Sequence, residues 1–447
     1  MPGSVQLIVG RPGSGKTIFA NQVAFHRAAA GFNAVYVTLL AESHARMLTH
    51  LACFSFFNPE LVSRRIVYMS GHSVLEQAGL DGLLDLLTRT IRENSASLLV
   101  IDGLNTAKEF APTTTSFKRF LLRLATSASL TSCTTLLLSL LTPVAEAEPE
   151  TGTVDGILRL DKRVHGARVV RELTVEKMRG TSYALGMHTI EIDTHGLHGY
   201  PRIESLPLPT NHQQTLPARR LTFDIKGLDA TLGGGVLERS TTLLIGPPGT
   251  GKTLLGSSFL ASGLERHERA LYVGLREAPE RMIHQADGIG LRLSKSQTRG
   301  CLETLWFPAI ETSVDAIAWT IFDRVEQRAI KRVFIDGIDG FSSMLVYPER
   351  LPRFYTALLA RLTSLGCTTV LAESAPAPVR ESMALGPANN VVVLSEQVRT
   401  GRMRRYVISQ KVQAGPHDYS PIGLHVSSRG LRVDSCRWRR LFREDKP

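Results

Sequence analysis

Short apolar runs alternate with longer stretches of helical period along almost the whole chain. Val5-Gln6-Leu7-Ile8-Val9 and Thr242-Leu243-Leu244-Ile245 read as buried strands, and each is followed by a helix, Ile18 to Ala30 and Leu254 to Arg266. Ser97 to Asp102 and Arg332 to Asp336 are further buried-type strands, each ending in a carboxylate. Thr134 to Leu141 and Thr368 to Ala372 give another pair, each introduced by Cys-Thr-Thr. This order predicts an α/β fold with a mostly parallel, doubly wound sheet in each half. The break between halves is Pro201 to Arg219, which carries four prolines and little periodicity. The predicted organisation is a first domain over 1–205, a Pro-rich linker over 206–219, a second domain over 220–434 and a basic tail over 435–447.

The loops after the first strand of each half repeat. Gly10-Arg11-Pro12-Gly13-Ser14-Gly15-Lys16-Thr17 returns as Gly246-Pro247-Pro248-Gly249-Thr250-Gly251-Lys252-Thr253, 236 residues later. Glycines at these places let successive backbone N–H groups turn inward around phosphate oxygens, and the following helix adds its positive end. Lys16 and Lys252 reach the β- and γ-phosphates of a nucleotide in such loops, while Thr17 and Thr253 ligate Mg²⁺. Asp102 follows Lys16 by 86 residues and Asp336 follows Lys252 by 84. A carboxylate ending a strand lies at the sheet edge where nucleotides bind and can hold the Mg²⁺ shell. ATP and Mg²⁺ are therefore the expected cofactors. Ser139 and Glu373, on the Cys-Thr-Thr strands, lie where a γ-phosphate sensor could sit.

Composition constrains the setting. The 447 residues are 43% hydrophobic and 21% charged, ordinary for a globular protein, and no apolar run is long enough to span a bilayer. No signal peptide is read at the N-terminus. Five scattered cysteines without CxxC pairs argue for a reducing cytoplasm and against structural zinc or a disulfide framework. The net charge of +11 comes from 41 arginines and eleven lysines spread along the chain, a skew typical of GC-rich coding. The dense cluster is Arg437 to Arg443 in the tail, where aromatics interleave with arginines. It could meet bases, a membrane surface or a partner, or be a frayed end.

Gly227-Leu228-Asp229, then Leu232-Gly233-Gly234-Gly235, then the Gly246 loop, resemble the opening of a KaiC-type ATPase domain, and Lys177-Met178-Arg179-Gly180-Thr181-Ser182 resembles that family's interface motif. The resemblance covers both halves and implies tandem RecA-like P-loop domains that assemble as a hexamer with ATP at subunit interfaces. It implies a water-directing glutamate after the strand that follows the P-loop helix. Behind Tyr272 to Leu275 this is Glu277, with Arg276 where the family often has another acid. Behind Tyr36 to Leu39 the one acid, Glu42, is displaced by a residue. The resemblance also makes Lys177 and Arg179 cations acting in trans on a neighbour's ATP. The second-domain counterpart keeps Lys411 but has Gln413 in place of the arginine, which predicts unequal sites.

Two further departures matter. The clock protein of the family phosphorylates itself on adjacent Ser and Thr residues, but the matching stretch here, Leu385 to Asn390, has no hydroxyl, and Ser382 is the nearest. The first domain also lacks the Gly-Leu-Asp lead-in, and Pro2-Gly3-Ser4 reads like its tail, so a start upstream of Met1 is expected. The leading expectation is an oligomeric ATPase whose nucleotide state controls a regulatory protein partner. A nucleic-acid motor and a signalling scaffold with little turnover remain alternatives, as does the family's serine/threonine kinase activity, which the lost acceptors disfavour.

Overall fold

A computed structural model of the chain describes residues 2–40, 44–141, 149–207, 219–310, 312–375, 382–399, 402–413, 419–427 and 430–434. The chain divides into two compact units, Met1–Ser205 and Leu206–Pro447. Most of the Pro-rich segment and the whole basic tail lie outside the described residues.

The first unit contains Val5–Gly10 (β1), Asn33–Thr38 (β2), Ile66–Ser70 (β3), Ala96–Asp102 (β4), Thr134–Leu140 (β5), Gly156–His165 (β6), Arg168–Met178 (β7), Met187–Asp193 (β8) and Gly196–Tyr200 (β9). They form one sheet in the order β3-β2-β4-β5-β1-β6-β7-β8-β9. Pairings from β3 to β6 are parallel, and those from β6 to β9 antiparallel.

Alternation along the buried strands supplies both faces with apolar groups. Leu7, Val35, Val37, Leu99 and Ile101 pack beneath the helices His72–Glu93 and Thr114–Thr131. Ile8, Ala34, Tyr36, Leu98 and Val100 on the other face pack against Ala20, Ala24 and Phe25 of the helix Lys16–Ala29.

The second unit repeats the plan. Arg220–Leu221 (β10) pairs antiparallel with Val236–Leu237 (β11) as a small separate ribbon. The main sheet holds Thr241–Gly246 (β12), Ala270–Gly274 (β13), Leu302–Trp306 (β14), Arg332–Asp336 (β15), Thr368–Ser374 (β16), Asn390–Arg399 (β17), Arg402–Lys411 (β18), Ile422–Ser427 (β19) and Gly430–Asp434 (β20). Its order, β14-β13-β15-β16-β12-β17-β18-β19-β20, matches the first sheet strand for strand. The Gly-Leu-Asp segment has a structural role: buried Asp229 accepts hydrogen bonds from the N–H groups of Phe223 (2.8 Å) and Ile225 (3.0 Å).

The fold is thus two tandem RecA-like α/β domains. Element bounds shift slightly from the sequence reading. Both P-loop helices begin at the lysine, Lys16 and Lys252, two residues earlier than periodicity suggested, because Gly15 and Gly251 in left-handed geometry serve as their N-caps. Each sheet ends in an antiparallel meander, which extends the mostly parallel pattern read from the sequence and carries Lys177 and Lys411 on its first hairpin.

Candidate functional site

Each P-loop connects the central strand of its sheet to a helix. Gly15 and Gly251 both have φ 103°, a conformation L side chains rarely adopt. A Cβ on Gly10 or Gly246 would lie 2.1 Å from the carbonyl oxygen of Leu160 or Leu394, so neighbouring β6 and β17 admit nothing larger. Both loops hold their lysine the same way: Lys16 Nζ donates to the carbonyls of Gly10 (2.7 Å) and Arg11 (3.1 Å), and Lys252 Nζ to those of Gly246 (2.8 Å) and Pro247 (2.7 Å). Burial lowers both ammonium pKa values, against the pull of Asp102 and Asp336 respectively.

The loops also fit a phosphate group. Cβ positions on Gly13 and Gly249 face open space, at φ 73° and 81°. The hydroxyl of buried Ser14 makes no hydrogen bond among the described residues, an orphan polar atom of the kind a bound ligand satisfies. Thr250 instead donates to Pro247 O at 2.8 Å. Arg11 leans toward Asp161 at 3.9 Å, and Pro12 and Pro248 complete the turns.

The expected carboxylates meet the expected hydroxyls. Thr17 Oγ1 donates to Asp102 at 3.2 Å, and Thr253 Oγ1 to Asp336 at 2.8 Å. Burial pushes Asp336 up to about 6, opposed by the Thr253 hydrogen bond. These hydroxyl–carboxylate pairs are donor sets suited to a hard divalent cation such as Mg²⁺.

Around this shared frame the two sites differ. Tyr36 donates to Asp102 at 2.7 Å, whereas Tyr272 donates to the carbonyl of Glu277 at 3.0 Å. The Glu277 carboxylate accepts from Gln285 Nε2 at 2.7 Å, and burial raises its pKa despite Arg281 and Gln285. Arg276 forms an ion pair with Asp339.

Leu39 N donates to Asp102 O as Leu275 N does to Asp336 O, at 2.8 and 2.9 Å. Gly103 faces Leu40 as Gly337 faces Arg276. This register puts Ala41 at the sequence position of Glu277. Glu42 itself lies outside the described residues.

Asn105 and Asp339 were missed by sequence reasoning, although each stands three residues after the strand-end aspartate, a spacing the repeat alignment carries. Asn105 accepts from Ser139 Oγ at 2.9 Å and Leu140 N at 2.6 Å. Asp339 accepts from Ser374 N at 3.3 Å. Ser139 and Glu373 face β1 and β12 in register, opposite Val9 and Ile245. Burial raises the Glu373 pKa, and its carboxylate accepts from Ser382.

Lys177, Arg179 and Lys411 do not meet the P-loop of their own domain. Lys177 Nζ donates to the carbonyls of Thr151 (2.9 Å) and Val154 (2.7 Å), and Lys411 Nζ to that of Ala388 (2.6 Å). Arg179 N binds Asp155 O, and Asp155 N binds Val5 O, which puts the arginine beside the start of β1. Five residues of strand, roughly 16 Å, separate that point from Gly10. Arg179 is exposed, its guanidinium 4.0 Å from Asp155. Gln413 occupies the same place in the second unit, its N–H donating to Asn390 at 2.9 Å.

Two P-loops with strand-end carboxylates, each on a RecA-like sheet, define a P-loop ATPase. The family model described as "ATPase: KaiC" matches residues 1–203 and 222–436, and the chain belongs to the KaiC ATPase family. It is 24% identical over 352 residues to the circadian clock oscillator protein KaiC of Picosynechococcus sp., covering 76% of this chain and 67% of that protein. Identity to the KaiC of Thermostichus vulcanus is 26% over 353 residues, with the same two coverages. A UPF0273 protein of Methanopyrus kandleri is 26% identical over 237 residues, 49% of this chain and 93% of that one. The chain thus spans about two thirds of the length of these KaiC relatives. No helix among the described residues is long and apolar enough to cross a membrane.

Proposed function

We propose that the chain is a Mg²⁺-dependent ATPase that works in the cytoplasm as a homo-oligomer, a hexamer by family likeness, whose nucleotide state governs a regulatory protein partner. The observation that carries this reading is the doubled P-loop frame with unequal surroundings. When bound, MgATP supplies the reactive γ-phosphoryl group and the charge that organises the site. Lys16 and Lys252 would bind its phosphate oxygens, and Thr17, Asp102, Thr253 and Asp336 would hold the metal shell. Glu277, whose carboxylate burial makes more basic, would accept a proton from an attacking water or orient it.

Lys177, Arg179 and Lys411 lie away from their own P-loops, so their cations act on a nucleotide held by another copy. The second domain then lacks one such cation, because Gln413 is neutral. Autophosphorylation of the clock type finds no acceptor between Leu385 and Asn390. Phosphate release by the purified chain tests the reading. It should disappear in the Lys16→Ala/Lys252→Ala double variant and fall by about 100-fold or more in Glu277→Gln on a Lys16→Ala background. Release undiminished in the double variant would sink it. Stimulation by single-stranded DNA, with a steep salt dependence, would favour a nucleic-acid motor instead.

A further inference from the structure

Among the described residues, one group of three side chains presents metal-ligating atoms all within 4.8 Å of one another: Asp193, His195 and His198, at the turn between β8 and β9 of the first domain. We propose that this turn binds a borderline divalent transition-metal ion of the Zn²⁺ class, at a site separate from the nucleotide Mg²⁺. His195 Nδ1 and His198 Nε2 face the same carboxylate oxygen, Asp193 Oδ1, at 3.6 and 3.2 Å. Two imidazoles and a carboxylate suit Zn²⁺, Co²⁺ or Ni²⁺ better than Mg²⁺, which prefers an all-oxygen shell. Their exposure on the turn leaves room for water to complete the coordination.

The second domain supplies an internal comparison. Its β19–β20 turn has the same register: Ser427 pairs with Gly430 as Asp193 does with Gly196, and His425 with Arg432 as Glu191 does with His198. Serine and arginine therefore stand where the first domain has aspartate and histidine, so the ligand set belongs to one repeat and not to the fold. The turn is also tied to the P-loop helix. Gln22 accepts from Leu197 N (2.7 Å) and donates to Leu197 O (3.2 Å), Ser55 N donates to Thr194 O (2.8 Å), and a Cβ on Gly15 would lie 2.8 Å from Ile192 Cδ1. A metal clamping the turn braces the wall behind the first P-loop.

The test is equilibrium dialysis of the chelator-stripped full chain against Zn²⁺, with excess Mg²⁺ and no nucleotide. We expect one tightly held Zn²⁺ per chain in the wild type and at least about tenfold weaker binding in Asp193→Asn and in His195→Gln/His198→Gln. Circular dichroism and ATP binding at the second domain report whether each variant is folded. Co²⁺ in place of Zn²⁺ should give visible absorption from imidazole coordination that the histidine variants lose. Wild-type chain that retains no Zn²⁺, or equal retention by folded Asp193→Asn and His195→Gln/His198→Gln, overturns the proposal. So does Zn²⁺ binding that depends on Thr17 and Asp102 instead, since that assigns the ion to the nucleotide site.

Discussion

At the scale of single residues, the tightest constraint is steric. Gly246 lies so close to Leu394 O that an added methyl forces β17 away from β12, the strand bearing the P-loop. Gly246→Ala should lose about 1–3 kcal/mol of stability in chemical denaturation and also weaken ATP binding, because the same displacement opens the loop. Asp224 gives a pH signature remote from the nucleotide. Its carboxylate accepts from both terminal nitrogens of Arg266 at 2.8 Å, and these hydrogen bonds hold its pKa down to about 2. A depressed folded pKa means stability that is present above the unfolded value near 4 and is lost as pH falls toward 2. The thermal-midpoint gap between wild type and Asp224→Asn should therefore be constant at neutral pH and shrink below about pH 4. A gap independent of pH down to the acid transition would show that the pair contributes no linked stability.

At the scale of elements, strand β15 begins with a fully buried arginine. Arg332 Nε donates to Glu268 at 2.7 Å, and another nitrogen to the carbonyls of Thr222 (3.1 Å) and Phe259 (2.9 Å), in space left by Gly263. Arg332→Ala takes from Glu268 its buried partner, leaving only the exposed Arg219, and empties the space beside Gly263, so it should cost about 3 kcal/mol in urea unfolding. Nothing in the strand's own residues announces this, since its partners lie 64, 110 and 73 residues away in sequence. The same reason separates what was legible from what was not. The P-loops, their strands and helices, and Asp102 and Asp336 are local patterns repeated at matched spacing, and each could be read directly. The antiparallel meanders join strands consecutive in the chain whose half-exposed, charge-rich residues give only a weak strand pattern, whereas the Tyr36–Asp102 contact and the Arg276–Asp339 pair depend on which distant segments become neighbours. Periodicity carries no information about that. Asn105 and Asp339 fall between: the repeat preserves their position, but only the fold turns them onto the strand end beside Ser139 and Ser374.

At the scale of the whole molecule, two domains with matching strand order carry differently furnished sites, and the difference is reciprocal. The first has Arg179 on its outlying hairpin and no acid in register with Glu277; the second has Glu277 and, at the arginine's place, Gln413. If that glutamine limits the second domain, restoring the charge should raise turnover without tightening ATP binding, because a transition-state cation stabilises charge that develops during phosphoryl transfer. The variant to make is Gln413→Arg in a Lys16→Ala background, so that phosphate release comes from the second domain alone. Lys411 and the backbone bond from Gln413 N to Asn390 are untouched by the substitution, and the exposed Arg179 shows that this hairpin position tolerates the longer side chain. The expected gain in kcat is roughly tenfold, with the ATP dissociation constant changed by less than about twofold. An unchanged kcat would mean that the hairpin cation does not limit the second site, and that the domains differ through other residues such as Glu277. A gain that requires high protein concentration would in addition place the arginine on a neighbour's nucleotide, which the roughly 16 Å of strand between this position and its own P-loop makes the arrangement to test.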